Sequence, residues 1–240
     1  MRSVSKVTIS MSTVITVEQR KLLHWTASLG AITAPALALR LDVSIASARG
    51  TLLAAQRRGL LARERPLSGH PALFTLTRAG LRACDVRGIE PCKVSASGAG
   101  HLIACASVAA ALERCYPDHR LVGERELRRD EREQKRLLAS ARLGWAPDSE
   151  QQIHRPDLVM WPVGPQEGLP VAVEVELTVK APRRLLAICR AWARCRTIAG
   201  VLYLAPPEVE RPLLRAVAAT HASEQIAVVP LSALPGYEAG

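Results

Sequence analysis

Apolar side chains recur at helical spacing from Val17 to Leu29, with Leu22, Leu23 and Ala27 on one stripe and Gly30 as the stop. Thr33 is placed to cap a short helix carrying Leu37, Leu39 and Leu41. Asp42–Val43–Ser44 reads as a tight turn with Ser44 as the next N-cap. The following helix runs to about Arg58, buries Ile45, Ala48, Leu52 and Ala55, and stops at Gly59. Leu60–Arg65 and Ala72–Leu76 then read as strands around a Pro66–Pro71 turn, and Thr77 opens a further helix.

Asp85 to Gly100 lacks any periodicity and contains Pro91, Gly88, Gly98 and Gly100, so it separates two units. The pattern predicts an N-terminal domain over 17–90, a linker over 91–100 and a second domain over 101–230. In the second unit His101 to Tyr116 is a strongly apolar helix and Arg120 to Val122 a short strand. Glu124 to Arg142 is a charge-dense helical run, read as a solvated face. His154–Trp161 and Pro170–Thr178 form a hairpin about a turn rich in Gly and Pro. Arg183 to Ile198 is a helix behind Pro182, and Gly200–Ala205 an apolar strand of the buried, parallel type. A helix from about Pro207 to His221 and a strand over Ile226–Val229 complete a mixed sheet covered by helices, an α/β arrangement.

The chain has 240 residues, 48% of them hydrophobic and 22% charged, which is globular composition. No apolar run approaches the roughly 18 residues of a membrane span, and the first residues lack a secretory signal pattern. A cytoplasmic protein with no membrane partner is the expectation. Aromatic residues are only 3%, which weakens any model of stacking platforms for single-stranded nucleic acid. The six cysteines show no C-x-x-C pair and read as small buried thiols, with Cys189 and Cys195 in one helix.

Charge is unevenly placed. Residues 1–90 carry 13 Lys/Arg against 5 Asp/Glu, whereas residues 91–240 carry 19 against 17. A basic first part on a nearly neutral remainder points to a polyanion-binding module, nucleic acid above all, with arginine spread over surfaces by an Arg-rich genome as the alternative. Helix, helix, turn, helix, hairpin is the order of a winged helix-turn-helix, whose third helix offers its first residues to base edges. Those residues are Ser44, Ala46, Ser47, Arg49 and Gly50, with Arg57 and Arg58 at the far end and Arg63 and Arg65 on the wing strand. Arg49 suits bidentate pairing with guanine. An adaptor role, with the same fold meeting protein, stays open.

Catalytic chemistry concentrates on the hairpin. Glu174, Glu176, Thr178 and Lys180 share one strand face, opposite Val173, Val175, Leu177 and Val179. Two carboxylates about 7 Å apart, with Asp157 on the neighbouring strand, are costly unless solvated or neutralised. Mg²⁺ (or Mn²⁺) held by Asp157, Glu174 and Glu176 would neutralise them and activate water against a phosphodiester, with Lys180 offsetting developing charge. The competing reading is an amphipathic edge strand whose polar face meets solvent.

The segments R-P-D-L-V-M-W and V-E-V-E-L-T-V-K resemble the PD-(D/E)xK nuclease superfamily. The whole chain, from about residue 17 to 220, is similar to the replication-relaxation family of plasmid and mobile-element proteins, which includes mobilisation relaxases. The likeness extends to the helix opening His101–Leu102, and to Pro182 followed by an Arg/Leu helix and V-L-Y-L. It implies a winged helix joined to a restriction-endonuclease-like domain, double-stranded DNA as partner, and a metal-dependent nuclease site. Asp157 would be the metal-binding aspartate and Glu174 the second ligand. Glu176 stands where the pattern usually has lysine, and Lys180 is placed to substitute. His101 and Glu124 are accessory candidates. A homodimer is open, as is a non-catalytic regulator of replication or transcription built on an inactive domain.

Overall fold

The computed structural model describes residues 15–145, 151–163 and 168–237. The start of the chain and half of the turn between the predicted hairpin strands lie outside the described residues.

Hydroxyl side chains begin the first helices, because each supplies the acceptor that the first-turn amides lack. Thr16 caps α1 (Val17–Leu29) in a reciprocal box with Gln19. Thr33, Ser44 and Thr77 cap α2 (Ala34–Leu41), α3 (Ile45–Arg57) and α4 (Arg78–Ala83). Among these elements run β1 (Ala31–Ile32), β2 (Leu61–Glu64) and β3 (Leu73–Leu76), an antiparallel sheet in the order β1-β3-β2. β1 has only two residues, too few for alternation to announce it. Ile45, expected inside, is 47% exposed, because the first position of α3 projects beyond the core stripe of Ala48, Leu52 and Ala55.

Ser95 starts α5 (Ala96–Cys115) five residues earlier than the apolar pattern suggests, taking half of the predicted linker into a helix. By length and hydropathy alone α5 passes for a membrane span, but its apolar run is broken at His101 and Ser107 and stays short of the roughly 18 residues the sequence reading required. Half of its apolar stretch is buried inside the molecule. Ala104, Ala106, Ala109, Ala110 and Ala111 are buried on more than one side of it, and the equally alanine-rich α2 packs against the helix.

The remaining elements are β4 (His119–Gly123), α6 (Glu124–Gln134), β5 (Ala141–Trp145), β6 (Gln151–His154), β7 (Leu158–Pro162), β8 (Val171–Val175), α7 (Pro182–Ala193), β9 (Gly200–Ala205), α8 (Pro207–Ala219) and β10 (Ile226–Pro230). A mixed sheet of five strands runs β10-β9-β8-β7-β4. β8 lies at its centre, antiparallel to β7 and parallel to β9. Val173 and Val175 face the cluster around α5, whereas Ala172, Val201 and Tyr203 face α7 and α8, so the sheet is sandwiched between helices. The chain is thus of mixed α/β class, as its pattern predicts.

Further boundaries depart from the sequence reading, among them the end of β8 at Val175 rather than Thr178, which leaves Glu176, Thr178 and Lys180 beyond the strand face expected to carry them. The charged helix α6 ends at Gln134, where Lys135 turns left-handed at φ 52°, and residues 141–145 pair as β5 with β6 instead. The stretch from His154 to Trp161 is broken at Arg155–Asp157 into β6 and β7. Arg194 caps α7 near where Trp192 completes its buried stripe, so Cys195 lies beyond the helix that holds Cys189. Cys115 is exposed rather than buried.

One hydrophobic cluster continues from α1–α4 into α5, β7 and β8. Gly123 marks the seam: its N–H donates to Ser28 Oγ at 2.8 Å, and a Cβ there would lie 2.3 Å from the Ser28 carbonyl oxygen. Arg114 Nη1 donates to Asp42 Oδ1 at 2.6 Å across the same junction.

Candidate functional site

Asp157 occupies the break between β6 and β7, and three elements hold it. Its carbonyl accepts the Glu124 N–H at 2.9 Å, its Oδ2 accepts the Val175 N–H at 2.8 Å, and its Oδ1 lies 2.9 Å from His101 Nε2 on α5. Pairing with Asp157 raises the His101 pKa above the ordinary histidine value against the opposing effect of burial.

Glu174 sits on the central strand β8 and is 3% exposed. Its Oε1 accepts from His154 Nε2 at 2.6 Å and from Trp192 Nε1 at 3.1 Å, and the two rings meet edge to face 5.6 Å apart. Burial raises the Glu174 pKa, with His154 working in the opposite direction. Glu176, just past the strand end, still donates its N–H to the Leu204 carbonyl at 2.9 Å, and its Oε2 pairs with Lys180. Burial lowers the Lys180 pKa, and the charges of Glu174 and Asp157 oppose that fall.

All four of these side chains, with His101 and His154, line one cavity of about 540 Å³. The edge-strand alternative therefore fails: β8 is central, and its two glutamates are buried rather than solvated. Arg155 also lines the cavity, but its Nε donates at 3.1 Å to the buried Glu131. Three carboxylates thus face Lys180 and two imidazoles, an arrangement that gains from an added cation. In Glu174 and Glu176 one oxygen is engaged and the other accepts no protein hydrogen bond among the described residues, a hard-oxygen donor set that suits Mg²⁺ or Mn²⁺. Glu124 contributes only its backbone, because its side chain pairs with Arg128 on α6.

Cys105, His154 and Trp192 belong to this neighbourhood and were not singled out by sequence. The available signals were weak: Cys105 follows His101 by one helical turn, and His154 precedes Asp157 by three residues. Among the described residues, the metal-ligating atoms found within 4.8 Å of one another are those of His101, Cys105 and Asp157, not the predicted set of Asp157, Glu174 and Glu176.

The predicted DNA-contact residues are on the first part of the chain. Ser44, Ser47, Arg49, Arg57, Arg58, Arg63 and Arg65 are all exposed. Ser44 Oγ caps α3 by accepting the Ser47 N–H at 3.2 Å, and Arg58 Nη1 donates to Gln19 at 2.6 Å. A cationic cavity that charge totals concealed lies between the ends of α6 and α7 and the start of β5. It measures about 500 Å³ and is lined by Lys135, Arg136, Arg142, Arg194 and Arg196 without a carboxylate. A larger cavity of about 650 Å³ beside α1 pairs its own charges, Arg40 with Glu113 and Arg120 with Glu126. No family model, curated protein or solved structure matches this chain.

Proposed function

We propose that the protein binds duplex DNA through a winged helix made of α1–α3 and the β1–β3 sheet, and nicks or cleaves it in the cavity of Asp157 and Glu174. The resemblance to the replication-relaxation family of plasmid and mobile-element proteins leads to the same reading. The observation that carries it is the convergence of Asp157, Glu174, Glu176 and Lys180 on one cavity at the C-terminal end of the central strand β8. The exposed arginines of α3 and β2, and the cations between α6 and α7, supply phosphate contacts for a backbone-positioned duplex.

Asp157, Glu174 and Glu176 would hold Mg²⁺ or Mn²⁺ once their carboxylates draw closer together than the 4.8 Å within which they do not all lie here, and the metal would then polarise the phosphoryl oxygen and acidify water. His154 and Trp192 fix the Glu174 carboxylate, and the Val175 N–H fixes Asp157, so the donors are oriented before substrate arrives. Lys180 offsets negative charge as water adds to phosphorus and the P–O bond to the leaving sugar oxygen breaks. The attacking water gives up one proton to solvent as the leaving oxygen takes one up, so the step balances.

Titration of Mg²⁺ and Mn²⁺ by calorimetry, with supercoiled-plasmid nicking on the same samples, tests this. The wild type should bind metal and nick, Asp157→Asn and Glu174→Gln should lose both, and duplex affinity should change little. Metal-dependent nicking that survives Asp157→Asn removes the site assignment. One observation favours a second reading: Glu176 occupies the usual lysine position and ties up Lys180. That reading is a DNA-binding regulator of replication or transcription with an inactive cavity, and it predicts duplex binding without nicking in either metal.

A further inference from the structure

We propose that His101, Cys105 and Asp157 form a zinc-binding site at the α5 wall of the cavity, distinct in donor set from the carboxylate site for Mg²⁺. His101 and Cys105 are one turn apart on the same face of α5, so the helix itself fixes their spacing. Cys105 Sγ lies 3.4 Å from His101 Nε2, and Asp157 Oδ1 lies 2.9 Å from the same nitrogen. The sulfur, nitrogen and oxygen donors all fall within 4.8 Å of one another. Tetrahedral zinc with Zn–N of about 2.0 Å and Zn–S of about 2.3 Å separates those two donors by about 3.5 Å, which the Cys105–His101 distance already meets.

The geometry also separates this site from the other chemistry that Cys, His and Asp perform together. A nucleophile relay needs the thiol and the carboxylate on opposite ring nitrogens, so that a proton passes through the imidazole. Here both approach Nε2, so the three groups point at a common centre rather than along a line. A thiolate and an imidazole select zinc over the hard cation suited to Glu174 and Glu176. Asp157 is held by the Val175 N–H, and Cys105 by its place in the packed helix, so two donors are pre-positioned. The His101 side chain, 42% exposed and lining the cavity, provides the way in. On binding, Cys105 releases its thiol proton to solvent as the Zn–S bond forms, and the imidazole coordinates in its neutral form. Three protein donors leave a fourth position for water. Because Asp157 is shared, zinc here would compete with Mg²⁺, a consequence that rests on the nuclease reading.

Cobalt titration of the full-length, metal-stripped protein tests the site without reference to activity. One Co²⁺ per chain should bind with a thiolate-to-cobalt charge-transfer band in the near ultraviolet, and Zn²⁺ should bleach it. Cys105→Ser and, independently, His101→Ala should lose the band while keeping the far-ultraviolet dichroism of the fold, and Glu176→Gln should keep it. Absence of the band at excess Co²⁺, or a band unchanged in Cys105→Ser, overturns the proposal. Nicking in Mg²⁺ with zinc chelated is read separately. A cobalt band without nicking removes the nuclease reading and leaves the zinc site standing, and nicking without the band does the reverse.

Discussion

The exposed cations of α3 and β2 and the buried carboxylates around β8 handle charge in opposite ways. Arg49, Arg57, Arg63 and Arg65 stand in solvent, where an arginine costs the fold little and can be moved by mutation without harm. Glu174 and Glu176 are 3% and 5% exposed; Glu174 is anchored by His154 and Trp192 from other elements, and Glu176 by Lys180 four residues on. A buried charge persists only where such partners exist. Position is therefore loosely specified in the first region and over-determined in the second, which suits a surface that tracks phosphates and a cavity that must hold donors in place.

The sharpest way to break this contrast is to remove a support from the buried side. Trp192 is fully buried and donates to Glu174. Trp192→Ala should lower the unfolding free energy by about 3–5 kcal/mol, whereas Arg49→Ala should stay within about 0.5 kcal/mol. Urea denaturation of the two variants decides it, and equal costs would dissolve the comparison.

A smaller effect concerns protons in the metal-free protein. The Asp157 pairing raises the His101 pKa, so the folded state binds this proton more tightly than the unfolded chain. The resulting stabilisation is fully present below the ordinary histidine value of about 6.5 and is lost as pH rises through the raised folded value. Histidine NMR titration should find His101 protonated above that ordinary range, and Asp157→Asn should bring it down. An unshifted midpoint in wild type contradicts the pairing.

Least costly to the fold, and informative about the surface, are the arginines themselves. Each of Arg49, Arg57, Arg63 and Arg65 that meets a phosphate should, when changed to Ala, shallow the dependence of log affinity on log salt by about 0.9. Fluorescence anisotropy on duplex DNA at several salt concentrations measures this slope. A slope near zero in the wild type would point instead to a first region that meets protein.

Much of the site was readable because local rules control it. Thr33, Ser44 and Thr77 announce their helices by capping, and the alternation of Val173, Glu174 and Val175 separates two faces wherever the strand lies. The same local rules misplace Ile45, run α6 on through β5, and leave α5 five residues short. At those ends propensity is nearly neutral, and packing against distant residues settles the outcome.

By itself the sequence determined most of the helices and strands, though not β1, β5 or β6, together with the α/β class, the basic first part, and which residues could carry chemistry: Asp157, Glu174, Glu176 and Lys180. Only the tertiary structure decided that β8 is central and its glutamates are buried, that His154 and Trp192 hold Glu174, and that Cys105 joins His101 and Asp157. It also gathered Lys135, Arg136, Arg142, Arg194 and Arg196 around one cavity in a part of the chain that is nearly neutral in total. The physical reason is that helix periodicity and strand alternation act over a few residues. Burial, strand order and the partners of a charge depend instead on contacts between segments far apart in the chain.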